Sequence, residues 1–294
     1  MEYGLYRDGS NPAAAAALTV TDNGTAIAIS TGPAVFNLSR ASADLFTSVT
    51  VNGSNLLKAG NGIVLKDKSG ATYKADLTKA SVTVESKGKN DAVIKVTGSH
   101  VKTGSTTTLL NYTLRMTFFA GRSDIRMSYT LHNPAAAKHD SNVWPLGDTQ
   151  GSRYIEDVSL VLPLNSSSTP SYLLSAGSNF SGSASQEIKV YQDSSGGSNY
   201  KSANHMNASR WVPITFKGFK ATAGSSTLTT GTRVQPWLDI SGSSGGISVG
   251  VRQFWQNFPK ALAYSSSAVR VGLFPTEFAD AYEIQGGEQK THEL

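Results

Sequence analysis

The chain is 294 residues long, room for one large or two smaller domains, and its 39% apolar and 9% aromatic residues are enough to bury a core. With no cysteine, it excludes a disulfide framework, a thiolate zinc site and a cysteine nucleophile. The net charge of +5 is scattered rather than gathered into a basic stripe, so no nucleic-acid backbone is indicated as a partner, and no apolar run is long enough to insert in a membrane.

The first residues, Met1-Glu2-Tyr3-Gly4-Leu5, have neither a basic start nor an apolar continuation, so an exported protein of this kind would have its signal peptide outside this chain. Ala13 to Ala17 has helical propensity over one turn only, too short to stand alone. Beyond it, two-residue alternation dominates. Ala26-Ile27-Ala28-Ile29, Val35-Phe36-Asn37-Leu38 and Ser81-Val82-Thr83-Val84 read as short strands. Turn clusters recur at Asp22-Asn23-Gly24, Val51-Asn52-Gly53, Ala59-Gly60-Asn61-Gly62 and Ser69-Gly70. A polar break at Ser86 to Asp91 marks a candidate domain division, and Asn133 to Ser141 is a competing one.

The strongest local pattern is a hairpin. Leu109 to Phe119 alternates through Tyr112, Leu114, Met116 and Phe118; Ala120 to Ser123 turns the chain; and Ile125, Met127, Tyr129 and Leu131 answer in the same period. Serine-rich stretches at 166–168, 194–198 and 241–246 predict exposed loops. The fold class is therefore all-β. Only 16% of residues are charged while Ser and Thr exceed a fifth, so the surface is solvated by hydroxyls. Together with seven Asn-x-Ser/Thr triplets, that suits an extracellular protein. Such a surface serves a polysaccharide binder and a structural surface protein equally.

The most distinctive residues are Trp144-Pro145-Leu146-Gly147-Asp148, Gln253 to Leu262, Gly272-Leu273-Phe274-Pro275 and Gly286-Gly287-Glu288-Gln289-Lys290-Thr291-His292-Glu293. This series resembles the exo-rhamnogalacturonan lyase-like family that includes the YetA-like proteins. The resemblance implies a small N-terminal RIFT-type β-barrel, placed at residues 1–88, and a larger antiparallel β-sandwich at 89–294. It also implies a C-terminal α/α toroid carrying the lyase chemistry, which would begin about where this chain stops. The expectation is thus the non-catalytic β domains of a pectin-degrading lyase-like protein, which would support the toroid or bind substrate. The partner would be an acidic, pectic polysaccharide. The alternative from another class is a stand-alone binding or structural surface protein, an adhesin or filament subunit capable of self-association.

Cleaving a uronic-acid polymer by β-elimination requires a cation to neutralise the sugar carboxylate and a base to remove the proton beside it. Lys290 and His292 are of those types, and in an extended segment they share one face, with Glu288 beside them. They are candidate substrate-binding residues at the edge of a site; no catalytic role is assigned. Trp144, Trp211, Trp237 and Trp255 either fill the sandwich core, the commoner place for such a residue, or offer flat platforms for sugar rings, Trp255 foremost, because alternation places it opposite Phe254 and Phe258. Asp148 suits an Asx-turn or a Ca²⁺ ligand. No EF-hand loop, His-x-x-x-His pair or phosphate-binding Gly-Lys-Ser/Thr string occurs, so neither a metal site nor a cofactor is expected. His100, His132, His139 and His205 read as dispersed surface or loop residues.

Overall fold

The computed structural model describes residues 18–137, 150–166, 168–207, 209–243 and 245–294. The first five strands, β1 (Thr19–Asp22), β2 (Ala26–Ser30), β3 (Ala34–Ser39), β4 (Ser48–Val51) and β5 (Ser54–Asn55), form an antiparallel meander. Its first turn is made by side chains: Asp22 accepts from the Gly24 amide and Asn23 from the amides of Thr25 and Ala26. Alternation then buries Ile27, Ile29, Phe36 and Leu38 on one face.

β6 (Gly62–Asp67), β7 (Thr72–Lys74), β8 (Ser81–Lys87), β9 (Asp91–Lys102), β10 (Thr108–Phe119) and β11 (Ile125–His132) belong to the large sheet. The hairpin predicted from sequence is β10–β11, with Tyr112 opposite Leu131, Leu114 opposite Tyr129, Met116 opposite Met127 and Phe118 opposite Ile125. Its buried face meets that of the meander, with the rings of Phe36 and Phe118 5.0 Å apart between centroids. Residues 19–132 are thus a two-layer sandwich, in which each fully buried large side chain contributes about 1.5–3 kcal/mol. Where the family resemblance implies a small barrel, the meander is an open sheet, and no closed barrel occurs among the described residues. The polar break expected to divide domains is the turn between β8 and β9, which pair on both sides of it.

The second half contains β12 (Arg153–Pro163), β13 (Ser171–Ser175), β14 (Asn179–Ser183), β15 (Ile188–Gln192), β16 (Phe219–Ala223) and β17 (Ser226–Gly231). It continues with β18 (Trp237–Gly242), β19 (Gly245–Gly250), β20 (Lys260–Ser265), β21 (Ala268–Phe274), β22 (Tyr282–Ile284) and β23 (Gln289–Glu293). A four-stranded sheet, β14-β13-β18-β19, packs on the large sheet through contacts between β18 and β20. β12 joins the halves, pairing with β6 on one side and with β21 and β22 on the other. β23 returns to the far edge and pairs with β11. Helix among the described residues is confined to 3-10 turns such as Leu77–Lys79 and Ala203–His205.

Three expectations are corrected by burial and local geometry. His100 is fully buried rather than exposed: its Nδ1–H donates to the Leu110 carbonyl and its Nε2 accepts from the Tyr129 hydroxyl. Burial lowers the imidazole to about 4, opposed by the hydrogen bond to the Leu110 carbonyl, which favours the charged form. Ser194, expected in an exposed loop, is buried and accepts from the Gly218 amide, next to an equally buried Asp193. Residues 252–257 form turns rather than a strand, so alternation does not govern Trp255.

Candidate functional site

At one end of the second half, β20–β23 together with His205, Met206, Asn207, Ser209 and Pro213 line a cleft of about 620 Å³. The antiparallel order explains its origin. β20 begins just after a cis Phe258–Pro259 bond, β21 ends at Phe274, and β22 and β23 follow beside them. The ends of these strands therefore converge.

The floor is cationic. Lys260, only 2% exposed, donates from Nζ to the carbonyls of Asn257 (2.6 Å), Pro259 (3.2 Å) and Leu273 (2.6 Å). Burial, and secondarily the Lys290 ammonium, push it down to about 7, while the three carbonyls favour the charged form. Lys290 donates to Asn257 Oδ1 at 2.7 Å, so one asparagine holds both lysines. Neither ammonium has an ion-pair partner among the described residues. The cleft carboxylates are otherwise engaged. Asp280 accepts from Asn207 Nδ2, Glu283 from the Ser152 hydroxyl at 2.6 Å, and Glu288 from the Gln285 amide at 2.8 Å.

Aromatic rings form the remaining wall. Phe278 stacks on Tyr282 at 4.8 Å, Phe274 meets Tyr282 edge-on at 5.1 Å, and His205 meets Phe258 edge-on at 5.7 Å. The 275–281 loop behind this wall is braced from below. The Thr276 amide donates to Asp157, Arg270 pairs with Glu277, and the Tyr282 hydroxyl donates to the Pro275 carbonyl. Burial pushes the Asp157 carboxyl up to about 6, opposed by its bonds to Ser159 and the nearby Arg270.

Of the residues singled out from sequence, Glu288 and Lys290 line the cleft. His292 shares the Lys290 face of β23, as alternation predicts, but it is 3% exposed and sits behind Phe274, which it meets edge-on at 5.2 Å. Burial first, then Lys260 and Lys290, hold its imidazole well below the usual range. Trp255 lies apart from the cleft, with the Arg233 guanidinium 4.3 Å above its ring centre. Trp211 and Trp237 are exposed, at 48% and 38%. Trp144, Asp148 and His139 lie outside the described residues. Sequence reasoning assigns no role to Lys260, Asn257, Asp280 or His205. The available signal for Lys260 is a lysine opening an unbroken apolar run, Ala261-Leu262-Ala263-Tyr264, which marks a strand buried on both faces. Chemically, the cleft offers an ammonium facing space, amides and flat rings. Such a set, with the carboxylates of Asp280, Glu283 and Glu288 beside it, has the chemistry to hold a polar, hydroxyl-rich ligand.

Residues 18–147 match the family described as the PcRGLX-like protein central beta sandwich domain, a stretch that takes in β1–β11 and crosses residue 88. The uncharacterized protein YetA of Bacillus subtilis (strain 168) is 26% identical over 121 residues, 38% of this chain and 14% of the length of that protein. These matches relate the chain to rhamnogalacturonan lyase-like proteins at a coarse level. Among solved structures, a TPR-domain containing protein from Parabacteroides distasonis ATCC 8503 aligns with 91% of this chain and 46% of its own, at 10% identity and a TM-score of 0.41. A galactose mutarotase related enzyme from Lactobacillus acidophilus aligns with 94% of this chain and 95% of its own, at 8% identity and a TM-score of 0.39.

Proposed function

We propose that this chain is a non-catalytic β module of a rhamnogalacturonan lyase-like protein, working outside the cell, and that it holds acidic pectic glycan in the cleft over Lys290. The observation that carries the reading is the Lys290 ammonium. It lines a 620 Å³ cleft, is held by Asn257, and has no carboxylate paired to it among the described residues. A uronate carboxylate supplies that missing charge, and the rings of Phe278 and Tyr282 suit the apolar face of a pyranose. The family match to a sandwich domain supports the same assignment.

The candidate base does not reach the cleft. His292, the imidazole singled out from the sequence, lies behind Phe274 and is buried, so it is not placed to take a proton from a ligand in the cleft. The test is affinity electrophoresis of the chain in gels containing rhamnogalacturonan, polygalacturonate or neutral galactan. Retardation by the two acidic polymers, reduced about tenfold in affinity by Lys290→Gln, is expected; a charge-assisted hydrogen bond of about 1.5–3 kcal/mol sets that scale. Equal mobility in all three gels removes the proposal. Accumulation of an unsaturated, ultraviolet-absorbing product would contradict the non-catalytic part alone.

A further inference from the structure

Lys260 does not face the ligand space as Lys290 does, yet it lies at the bottom of the same cleft and shares Asn257 with it. Its three nitrogen protons point at three backbone carbonyls, a set that only the ammonium fills; a neutral amine has two protons and would leave one oxygen facing a lone pair. Against this stand its burial and the charge of Lys290. The two tendencies nearly balance.

We propose that the cleft takes up a proton when it captures an anion, the anion docking on Lys290 and the proton settling on Lys260 beneath it. This rests on the cleft being the anionic-ligand site proposed above. The step is acid–base only: the Lys260 amine gains one proton from solvent as the ligand's negative charge arrives.

The surroundings of Lys260 leave room for this coupling. From β23 it is faced by Lys290 and by His292, whose imidazole burial keeps neutral. From β21 it is covered by the Phe274 ring, with Nζ 5.6 Å from the ring centre, and from β22 the cleft presents Tyr282. The carboxylates across the cleft, Asp280, Glu283 and Glu288, already accept hydrogen bonds from Asn207, Ser152 and the Gln285 amide. Of the other charged or titratable groups on the rim, Lys68 lies over Tyr154 and His205 against Phe258. An anion on Lys290 cancels the repulsion that holds Lys260 down. The buried setting strengthens the effect, because charges interact more strongly where water is excluded.

The experiment is calorimetric titration of the full chain with trigalacturonic acid at pH 7 in two buffers of different ionisation enthalpy. The buffer-dependent heat is expected to show net proton uptake, a fraction of one proton per site, since burial and Lys290 push Lys260 down to about 7. Affinity should fall from pH 7 to 8.5, approaching tenfold per unit, and Lys260→Gln should flatten both dependences. Should that variant fail to fold, the proton count on the unmodified chain decides alone. Binding of trigalacturonate with no buffer-dependent heat and no pH dependence overturns the inference while leaving the glycan reading intact. If trigalacturonate does not bind, the glycan reading is lost, and sodium sulfate becomes the deciding probe. An upward shift of the Lys260 ¹³Cε titration midpoint with sulfate upholds proton-linked anion capture, and an unmoved midpoint ends it.

Discussion

Replacing His292 with leucine should make this protein more stable. The imidazole is 3% exposed, and neither ring nitrogen has a hydrogen-bond partner among the described residues. A buried polar atom left unmet costs about 1–3 kcal/mol. Leucine removes both and occupies a similar volume, and it gives up an edge contact with Phe274 worth about 0.5–1.5 kcal/mol. The net gain at pH 7.5 is about 1–3 kcal/mol, a rise in Tm of several degrees at about 2–4 °C per kcal/mol. The pH dependence adds a second signature. The folded imidazole titrates well below the ordinary 6.5. Below pH 6.5 the unfolded chain therefore binds a proton that the folded one refuses, and stability falls with pH until the depressed folded value is reached. Between pH 7.5 and 5.5 that loss amounts to about 1.4 kcal/mol, and the leucine variant escapes it. Urea denaturation of both proteins at the two pH values measures the gain and the slope together. A variant no more stable at pH 7.5, with an unchanged pH slope, would show that the imidazole is hydrogen-bonded and that the reasoning fails.

Two further perturbations probe the frame of the fold. Asp193→Ala should cost about 3 kcal/mol or more in urea denaturation, because it strands the Tyr191 hydroxyl, both donors of Thr215 and the Phe216 amide; a loss below about 1 kcal/mol would mean that these donors find water instead. Gly218→Ala and Gly53→Ala form a matched pair at φ +80 and +79. The first would drive a methyl into the Gly231 carbonyl oxygen and the second meets nothing within 4 Å, so thermal denaturation should show about 1 kcal/mol lost at Gly53 and at least about twice that at Gly218. Equal losses would assign the whole effect to backbone conformation.

The local grammar of the chain is legible in its residues. Alternation locates β2, β3 and β8, and it yields the β10–β11 hairpin and its turn because one face of each arm is buried and a slip would expose it. It also puts Lys290 and His292 on one face of β23. Pairing between distant strands is not legible. Nothing in residues 289–293 announces β11 as their neighbour, and so nothing there tells that His292 is enclosed and Lys290 left facing space. His100 escapes a sequence reading for a similar reason: its partners, Leu110 and Tyr129, come from two later strands. Trp255 escapes it differently. A two-residue rule does not hold in a segment that turns, and the ring ends under Arg233.

The return of β23 to β11 has a consequence for assembly. Thr130 and Thr291, hydroxyl to hydroxyl at 2.7 Å, stand 161 residues apart in the chain. During synthesis the nascent sandwich must wait with an unzipped border while the entire second half emerges. Its side chains on the outward face there, Ser128, Thr130 and His132, are polar, a composition that discourages strangers from docking during the delay. Closure of that seam joins segments 161 residues apart, a long-range pairing of the kind that slows folding, and Lys290 arrives with it.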